Sequence, residues 1–387
     1  MTDADVIVAG GGPAGAATAA RLARAGAHVL VLDRSSFPRD KACAEFLSPG
    51  AVAALERLGT LAAVAPHGTP QEGMRIVSRG GELALRYRDG RTGLGVARRV
   101  LDAVLLDAAR AAGADVREGV AVAGAIVEDD VVRGVRLRDG RELRAGFVVA
   151  ADGIRSPIAR SLGLERRAPW PRRLGLVARV GGLAPSRVGL MAVGRGGYCG
   201  IASVGAGETS VGMAVGPGAR RRGESAEELF ARTLSSLPAA AAAVAGGERI
   251  GPLRGVAPLS RRVARVGGPG FLLVGDAAGF LDPFTGEGVH RALRGAELAA
   301  EAALGALARA DREPAGYAEA RAAAFAAKER AVLLLQGALA VPALFDHCLR
   351  RAQARERVGA TLAGVFGDYL PAAAALRPSL VASLIRP

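Results

Sequence analysis

Two glycine-rich stretches hold the residues best suited to chemistry. The first, GGGPAG at Gly10–Gly15, follows the apolar run Asp5–Ala9 and opens an alanine-rich segment reaching about Ala25. Gly10, Gly12 and Gly15, with Pro13 and Ala14 between them, complete G-x-G-x-x-G. In a strand–turn–helix context the three glycines serve a tight turn, backbone approach to a pyrophosphate, and close helix–strand packing. The helix N-terminus then turns its N–H groups and dipole toward the phosphates. A second apolar run, His28–Leu32, ends at Asp33, where a carboxylate accepts from an adenosine ribose hydroxyl. Arg34 is assigned to the same dinucleotide site.

The second stretch is GDAAGFLDPFTGEGVHRAL, Gly275–Leu293. An apolar run, Phe271–Val274, stops at Gly275; Asp276 follows, then Pro283, Gly286, Glu287 and Gly288 lead into a helical pattern. One turn needs one glycine. This spacing brings backbone against a ligand and aims a second helix N-terminus at it. Between the two stretches lies KACAEFLSP, with Lys41 and Cys43. Cys43 fits two roles, a cavity-lining thiol or a small buried hydrophobe.

The surrounding chain reads as a series of short elements. Ser48 and Pro49 read as N-cap and first residue of a helix ending near Gly59. Arg75–Arg88 reads as two short strands, Val100–Ala112 as a helix, and Val120–Glu128, Val131–Arg138 and Arg141–Ala151 as a meander with a turn at Asp139-Gly140. Arg172–Val215 reads as an antiparallel sheet, Glu224–Leu237 as a helix and Arg249–Leu259 as a strand. Phe271–Val274 rejoins the first sheet. The tail from Glu297 reads as helix, broken near Pro314, Pro342 and Pro371.

The composition narrows the function. The formal net charge is +14, almost all of it arginine, since Lys41 and Lys328 are the only lysines. The arginines are scattered and not interleaved with aromatics, which speaks against nucleic acid. Three widely spaced cysteines make neither a disulfide framework nor a metal site, and no metal is expected. The N-terminus is acidic before its apolar run, unlike a signal peptide. Ala331–Phe345 holds Gln336 and Pro342 and is too short for a membrane span. A cytoplasmic enzyme is expected, with peripheral membrane contact left open and the oligomeric state undetermined.

GGGPAG, ARRVLDAVLLDAA at Ala97–Ala109, AADGIRS at Ala150–Ser156 and the Gly275–Leu293 stretch stand in one order. This combination resembles the para-hydroxybenzoate hydroxylase-like FAD superfamily over about the first 300 residues. The resemblance implies an α/β fold: an FAD/NAD(P)-binding, Rossmann-like domain of glutathione-reductase type, an inserted antiparallel substrate-binding sheet and a helical tail. The boundaries expected are 1–70, 96–165 and 262–300 for FAD binding, 71–95 and 166–261 for the substrate sheet, and 301–387 for the tail. By position, Arg98 is implied to contact the cofactor, Asp152 to serve FAD and nicotinamide handling, and Asp276 to accept from ribityl hydroxyls. Lys41, Gly275, Pro283, Gly286, Glu287 and Gly288 are implied to line the flavin.

Two departures matter. Gly279 stands where the aromatic hydroxylases carry His, and GEG at Gly286–Gly288 replaces GQG. KACAEFLSP is similar to the KxCGEGLxP of the geranylgeranyl reductase branch, with Ala44 and Phe46 replacing its glycines. A flavin halogenase motif, WxWxIP, is excluded because Trp170 is the sole tryptophan. Cys43 and Tyr198 are candidate catalytic residues; Tyr198 and Cys199 alternate faces, so only one points to substrate. The expected function is an FAD-dependent monooxygenase that hydroxylates an apolar or aromatic small molecule, for example a polyketide, using NADPH or NADH and O₂. The alternative is saturation of isoprenoid C=C bonds at the same site. A basic nucleic-acid or membrane-surface binder is the remaining reading.

Overall fold

The computed structural model describes residues 2–309 and 311–385, so Met1, Ala310, Arg386 and Pro387 of the expected segments lie outside the described residues. Ala4–Ala9 is the hub of the first sheet. It pairs in parallel with Val29–Leu32 on one side and with Glu142–Ala150 on the other. Asp115–Arg117 extends one edge; Phe271–Leu273 and Gly267–Gly268 extend the opposite one. These central strands are nearly continuous apolar runs because both faces are covered. Val6, Val8, Val29 and Val31 pack beneath the helices Pro13–Arg24, Arg98–Ala111 and Gly288–Leu307. Ile7, Leu30, Leu32 and Val148 meet the meander strands Val122–Glu128 and Val131–Leu137 and the short helix Pro157–Ser161.

The second sheet has seven strands in the order Glu248–Val256, Leu174–Gly181, Glu208–Val215, Gly197–Ser203, Val188–Gly194, Gly73–Ser78, Gly81–Arg86. It is antiparallel except at one seam, where Val188–Gly194 runs parallel to Gly73–Ser78. That seam joins two segments distant in sequence, which no local pattern specifies. One face packs on Ala226–Ser235, whose Ser225–Glu228 capping box starts it two residues after the expected point, and on Pro238–Ala243. The other face meets the C-terminal helices.

A three-stranded ribbon, Phe46–Leu47, Gly93–Gly95 and Thr69–Gln71, escapes sequence reading because its strands are two or three residues long. It ties the Lys41–Pro49 stretch to the second sheet: a Cβ at Gly95 would stand 1.9 Å from the Ser203 carbonyl oxygen. The tail forms Tyr317–Ala340, Pro342–Gln353, Glu356–Phe366 and Pro378–Ile385. Its break at Ala354–Arg355 is announced by no proline; the turn there lets Pro342–Gln353 and Glu356–Phe366 both pack on Gly81–Arg86. Among the described residues no single helix is long and apolar enough to cross a membrane; Tyr317–Ala340 and Pro342–Gln353 pass such a test only together, bent by 118°.

Candidate functional site

The first glycine loop sits where strands Ala4–Ala9 and Glu142–Ala150 end together. Gly10 has φ +102°, and a Cβ there would lie 2.4 Å from the Ala151 carbonyl oxygen. At Gly15 a Cβ would come within 1.8 Å of the Gly10 carbonyl oxygen, so helix and loop touch backbone to backbone. Ala14, from the same helix, stands 2.8 Å from where a Gly275 Cβ would be. The helix Pro13–Arg24 has Gly12 as N-cap, no side-chain cap and no acidic residue in its first turn. Its leading N–H groups therefore remain available to an anion. A Cβ at Gly12 would lie 3.5 Å from Arg39 Nη2 and 3.9 Å from Arg98 Nη2, so two guanidinium groups flank the loop.

Asp33 is buried, and its oxygens accept from the backbone N–H groups of Gly11 and Ser35, each at 2.8 Å. Arg34 is exposed and takes no part in this cluster. Arg98 is also buried; it holds Asp102 through two bonds of 2.6 and 2.8 Å and reaches the Cys43 sulfur. Burial works against its charge, but Asp102 and Cys43 outweigh that and lift its pKa above the ordinary arginine value.

The second stretch enters from the adjacent strand. Gly275, at φ +61°, starts a single 3₁₀ turn, Gly275–Ala278, that carries Asp276. The Asp276 carboxylate is one-third exposed and lies 4.0 Å from Lys41 Nζ. Lys41 Nζ is 3.7 Å from the Gly153 Cβ position, so Lys41 bridges all three motifs. Its side chain is 37% exposed, and the surrounding protein still pulls its ammonium below the usual lysine range by desolvation, against the opposing charge of Asp276. Asp152 caps Ile158 N–H at 3.3 Å with one oxygen; the other is buried without a hydrogen-bond partner. Burial raises its pKa to about 6, against the Ser156 and Ile158 hydrogen bonds. Gly279 has φ +109°, which disfavours the His found in hydroxylases for a backbone reason.

Pro283 is half-buried and Phe284 fully buried. At Gly286, φ is +69° and a Cβ would stand 3.1 Å from the Phe46 ring; at Gly288 it would meet only Phe280, at 3.8 Å. Glu287 is the N-cap residue of helix Gly288–Leu307, which lacks a side-chain cap and any acid in its first turn. The Glu287 carboxylate points into protein, 3.4 Å from Arg291 and 3.8 Å from Lys328. Burial raises its pKa and these two cations oppose the rise.

Tyr198 and Cys199 do alternate faces. Cys199 packs under the helices of the far side, where burial lifts its thiol to about 12. Tyr198 faces the flavin-domain side but is only 3% exposed. Its hydroxyl donates to Asp282 at 2.6 Å, its ring stacks edge-on against Phe284 at 4.9 Å, and Arg173 lies over it at 5.3 Å. The hydroxyl is therefore committed to a buried network; burial and Asp282 drive its pKa well above the ordinary tyrosine value.

Cys43 is half-buried; its sulfur accepts from the Glu45 N–H at 3.3 Å. Glu45 is 1% exposed and takes φ +60°. It accepts from the Arg98 N–H at 2.7 Å and from Arg179 of the second sheet at 2.5 and 3.0 Å. Sequence spacing points to none of Arg39, Arg173, Arg179 and Asp282, which find their partners only when distant segments come together: Arg39 beside Asp33 and Asp102, Arg173 beside Asp282, Arg179 beside Glu45. Glu45 has a signal there, inside KACAEFLSP, but its role does not follow from it.

These features fit FAD. The uncapped helix, Arg39 and Arg98 would hold the pyrophosphate, Asp33 the adenosine ribose, and Asp276 with Lys41 the ribityl end. The orphaned Asp152 oxygen lies beside that path. The second helix N-terminus would favour negative charge on the ring edge by about 0.3–1 kcal/mol.

Fold and site thus define a flavoprotein of the FAD-binding Rossmann class. The chain matches the model of the FAD binding domain family over residues 3–329, and it belongs to that family. It is 32% identical to menaquinone reductase of Mycolicibacterium smegmatis over 78% of this chain and 76% of that one. It is likewise 32% identical to digeranylgeranylglycerophospholipid reductase 1 of Methanopyrus kandleri, over 78% and 81%. Among solved structures, the flavin-dependent brominase Bmp2 superposes with a TM-score of 0.84 at 20% identity over 98% of both chains, a likeness of fold. The myxobacterial chondrochloren halogenase CndH gives 0.71 at 28% identity over 79% and 74%. The protein is an FAD-dependent oxidoreductase.

Proposed function

We propose that the protein saturates C=C bonds of an isoprenoid-bearing lipid with electrons that FAD receives from NAD(P)H. The observation that carries this reading is the likeness, over three quarters of each chain, to reductases named for menaquinone and for a digeranylgeranyl lipid. Both names denote apolar, isoprenoid-bearing molecules. The sequence-based preference for hydroxylation gives way to this reading for that reason.

The site's chemistry supports it. FAD, when bound, supplies the two-electron step. Phe46 of the Lys41–Pro49 stretch packs in one apolar cluster with Met74, Met191, Tyr198, Phe284 and the C-terminal helices, so the protein beside this stretch is hydrocarbon-like in character. Saturation also consumes a proton. Lys41 Nζ, whose desolvation favours giving one up, is the titratable donor we assign to it. Cys43, held by Glu45 and Arg98, lies two residues on and is oriented by those bonds.

The likeness to CndH favours a second reading, oxidative use of the same cofactor. One experiment separates the two. Purified protein, NADPH and a polyprenyl lipid are incubated without oxygen, and in parallel under ¹⁸O₂. A product heavier by two hydrogens, formed anaerobically, is expected. A product that forms only with O₂ and carries the label would establish hydroxylation instead.

A further inference from the structure

We propose that the two-stranded ribbon Glu165–Arg167/Arg261–Val263, with the adjoining Trp170, is a docking surface for an anionic lipid bilayer. The ribbon is antiparallel, and Arg166 stands directly opposite Arg262. Like charges at that position repel, and each pair of this kind costs stability unless something neutralises it. Among the described residues nothing does. The one carboxylate of the ribbon, Glu165, is taken by Arg261 at 2.6 Å and Arg160 at 3.6 Å. Arg166 donates only to the carbonyls of Gly163 and Glu165, which leaves its charge uncompensated. Among the described residues, Arg172 and Arg262 have no carboxylate partner, and both are exposed.

Trp170 lies between Arg166 and Arg172 in the chain, flanked by Pro169 and Pro171, and is 41% exposed. A large ring held in water beside unpaired guanidinium groups is the arrangement that enters an interfacial region, where an apolar body and a polar surround are both satisfied. The cationic side is drawn by anionic headgroups, and the chain's net charge of +14 adds to that attraction.

The ribbon's position favours lipid over nucleic acid. Arg261 and Phe280 exchange backbone hydrogen bonds of 2.8 and 3.0 Å. Phe280 belongs to the loop that carries Asp276, so a bilayer seated on the ribbon lies next to the flavin loop. A lipid substrate then has a short path to the apolar protein beside the Lys41–Pro49 stretch. This last link rests on the proposed function; the binding itself does not.

The test uses the complete FAD-bound protein. Trp170 is the chain's one tryptophan, so intrinsic emission reports its surroundings directly. Vesicles of phosphatidylcholine alone are compared with vesicles containing about 30% phosphatidylglycerol. We expect a blue shift of emission and at least ~10-fold tighter co-sedimentation with the anionic vesicles, reversed by about 0.5 M salt. The combined variant Arg166→Gln, Arg172→Gln, Arg262→Gln should lose that ~10-fold preference, with FAD content unchanged and a melting temperature no lower than that of the parent, since the facing like charges are removed. Trp170→Phe should keep the charge preference and weaken binding. Unshifted emission, equal binding to neutral vesicles, full binding by the triple variant, or tighter binding to duplex DNA than to anionic vesicles would each overturn the proposal. Because no turnover is measured, failure here is separate from failure of the reductase reading.

Discussion

Single residues of this site are defined by what burial does to their charge. Asp152 is the clearest case. Its carboxyl is raised from the ordinary value to about 6 by burial, so the folded chain binds a proton more readily than the unfolded chain. By linkage, this group stabilises the fold relative to its ionised state at low pH, and that contribution is lost as pH rises through about 6. Between pH 5 and pH 7.5 the apoprotein should therefore lose about 1 kcal/mol through this group alone. Asp152→Asn removes the titration. Urea melts of the two proteins at both pH values should differ by that amount in their pH dependence; parallel behaviour would show that Asp152 is solvated. Lys41 and Glu287 are shifted by the same cause, desolvation, and stand on opposite sides of the ordinary values for their types.

Elements come together through glycine. The helix Pro13–Arg24 docks so closely on its loop that Gly15 has no space for a methyl group, given the 1.8 Å separation from the Gly10 oxygen. Gly15→Ala must push the helix away from the strand, and overpacking of this kind costs about 1–3 kcal/mol. The expected result is a lower melting temperature of the apoprotein together with weaker FAD retention, read by flavin release on gel filtration. By contrast, a methyl group at Gly288 meets only Phe280 at an ordinary 3.8 Å, so Gly288→Ala should retain its stability. The comparison separates a glycine required by the packing of the protein itself from one beside which the protein leaves room.

Across the whole molecule, the Lys41–Pro49 stretch is joined to the second sheet by a buried ion pair. Glu45 of the Lys41–Pro49 stretch and Arg179 of the second sheet are 1% and 12% exposed in their side chains. Asp40 and Glu208 also approach Arg179, at 2.9 and 3.7 Å. Removing one partner of a buried pair strands the other, at about 3–5 kcal/mol. Glu45→Ala also deprives the Arg98 N–H of its acceptor. We expect a loss near the lower end, about 3 kcal/mol, because Asp40 still compensates Arg179. Chemical denaturation should show a lower midpoint at an unchanged slope. A loss under about 0.5 kcal/mol would mean that the pair is solvated like a surface bridge.

The FAD fold and the order of its parts are legible in the amino-acid sequence alone. GGGPAG, Asp33 and the Gly275–Gly288 stretch are local signals: backbone conformation, helix starts and close approaches that glycine, proline and a capping serine specify within a few residues. Ser48 does accept from Ala51 N–H, and Gly59 does end its helix in the left-handed region, because such caps need no distant partner. What sequence spacing does not encode emerges with the tertiary fold. Folding turns Tyr198 toward Asp282, 84 positions away, and commits its hydroxyl there. It sets Glu45 between Arg98 and Arg179, and it places Arg39 beside Gly12. It also puts Arg166 across from Arg262, 96 positions later in the chain, which makes two scattered arginines into a facing pair of like charges. Charge pairing and burial act through space at a few ångströms, and only the folded chain fixes which side chains come that close.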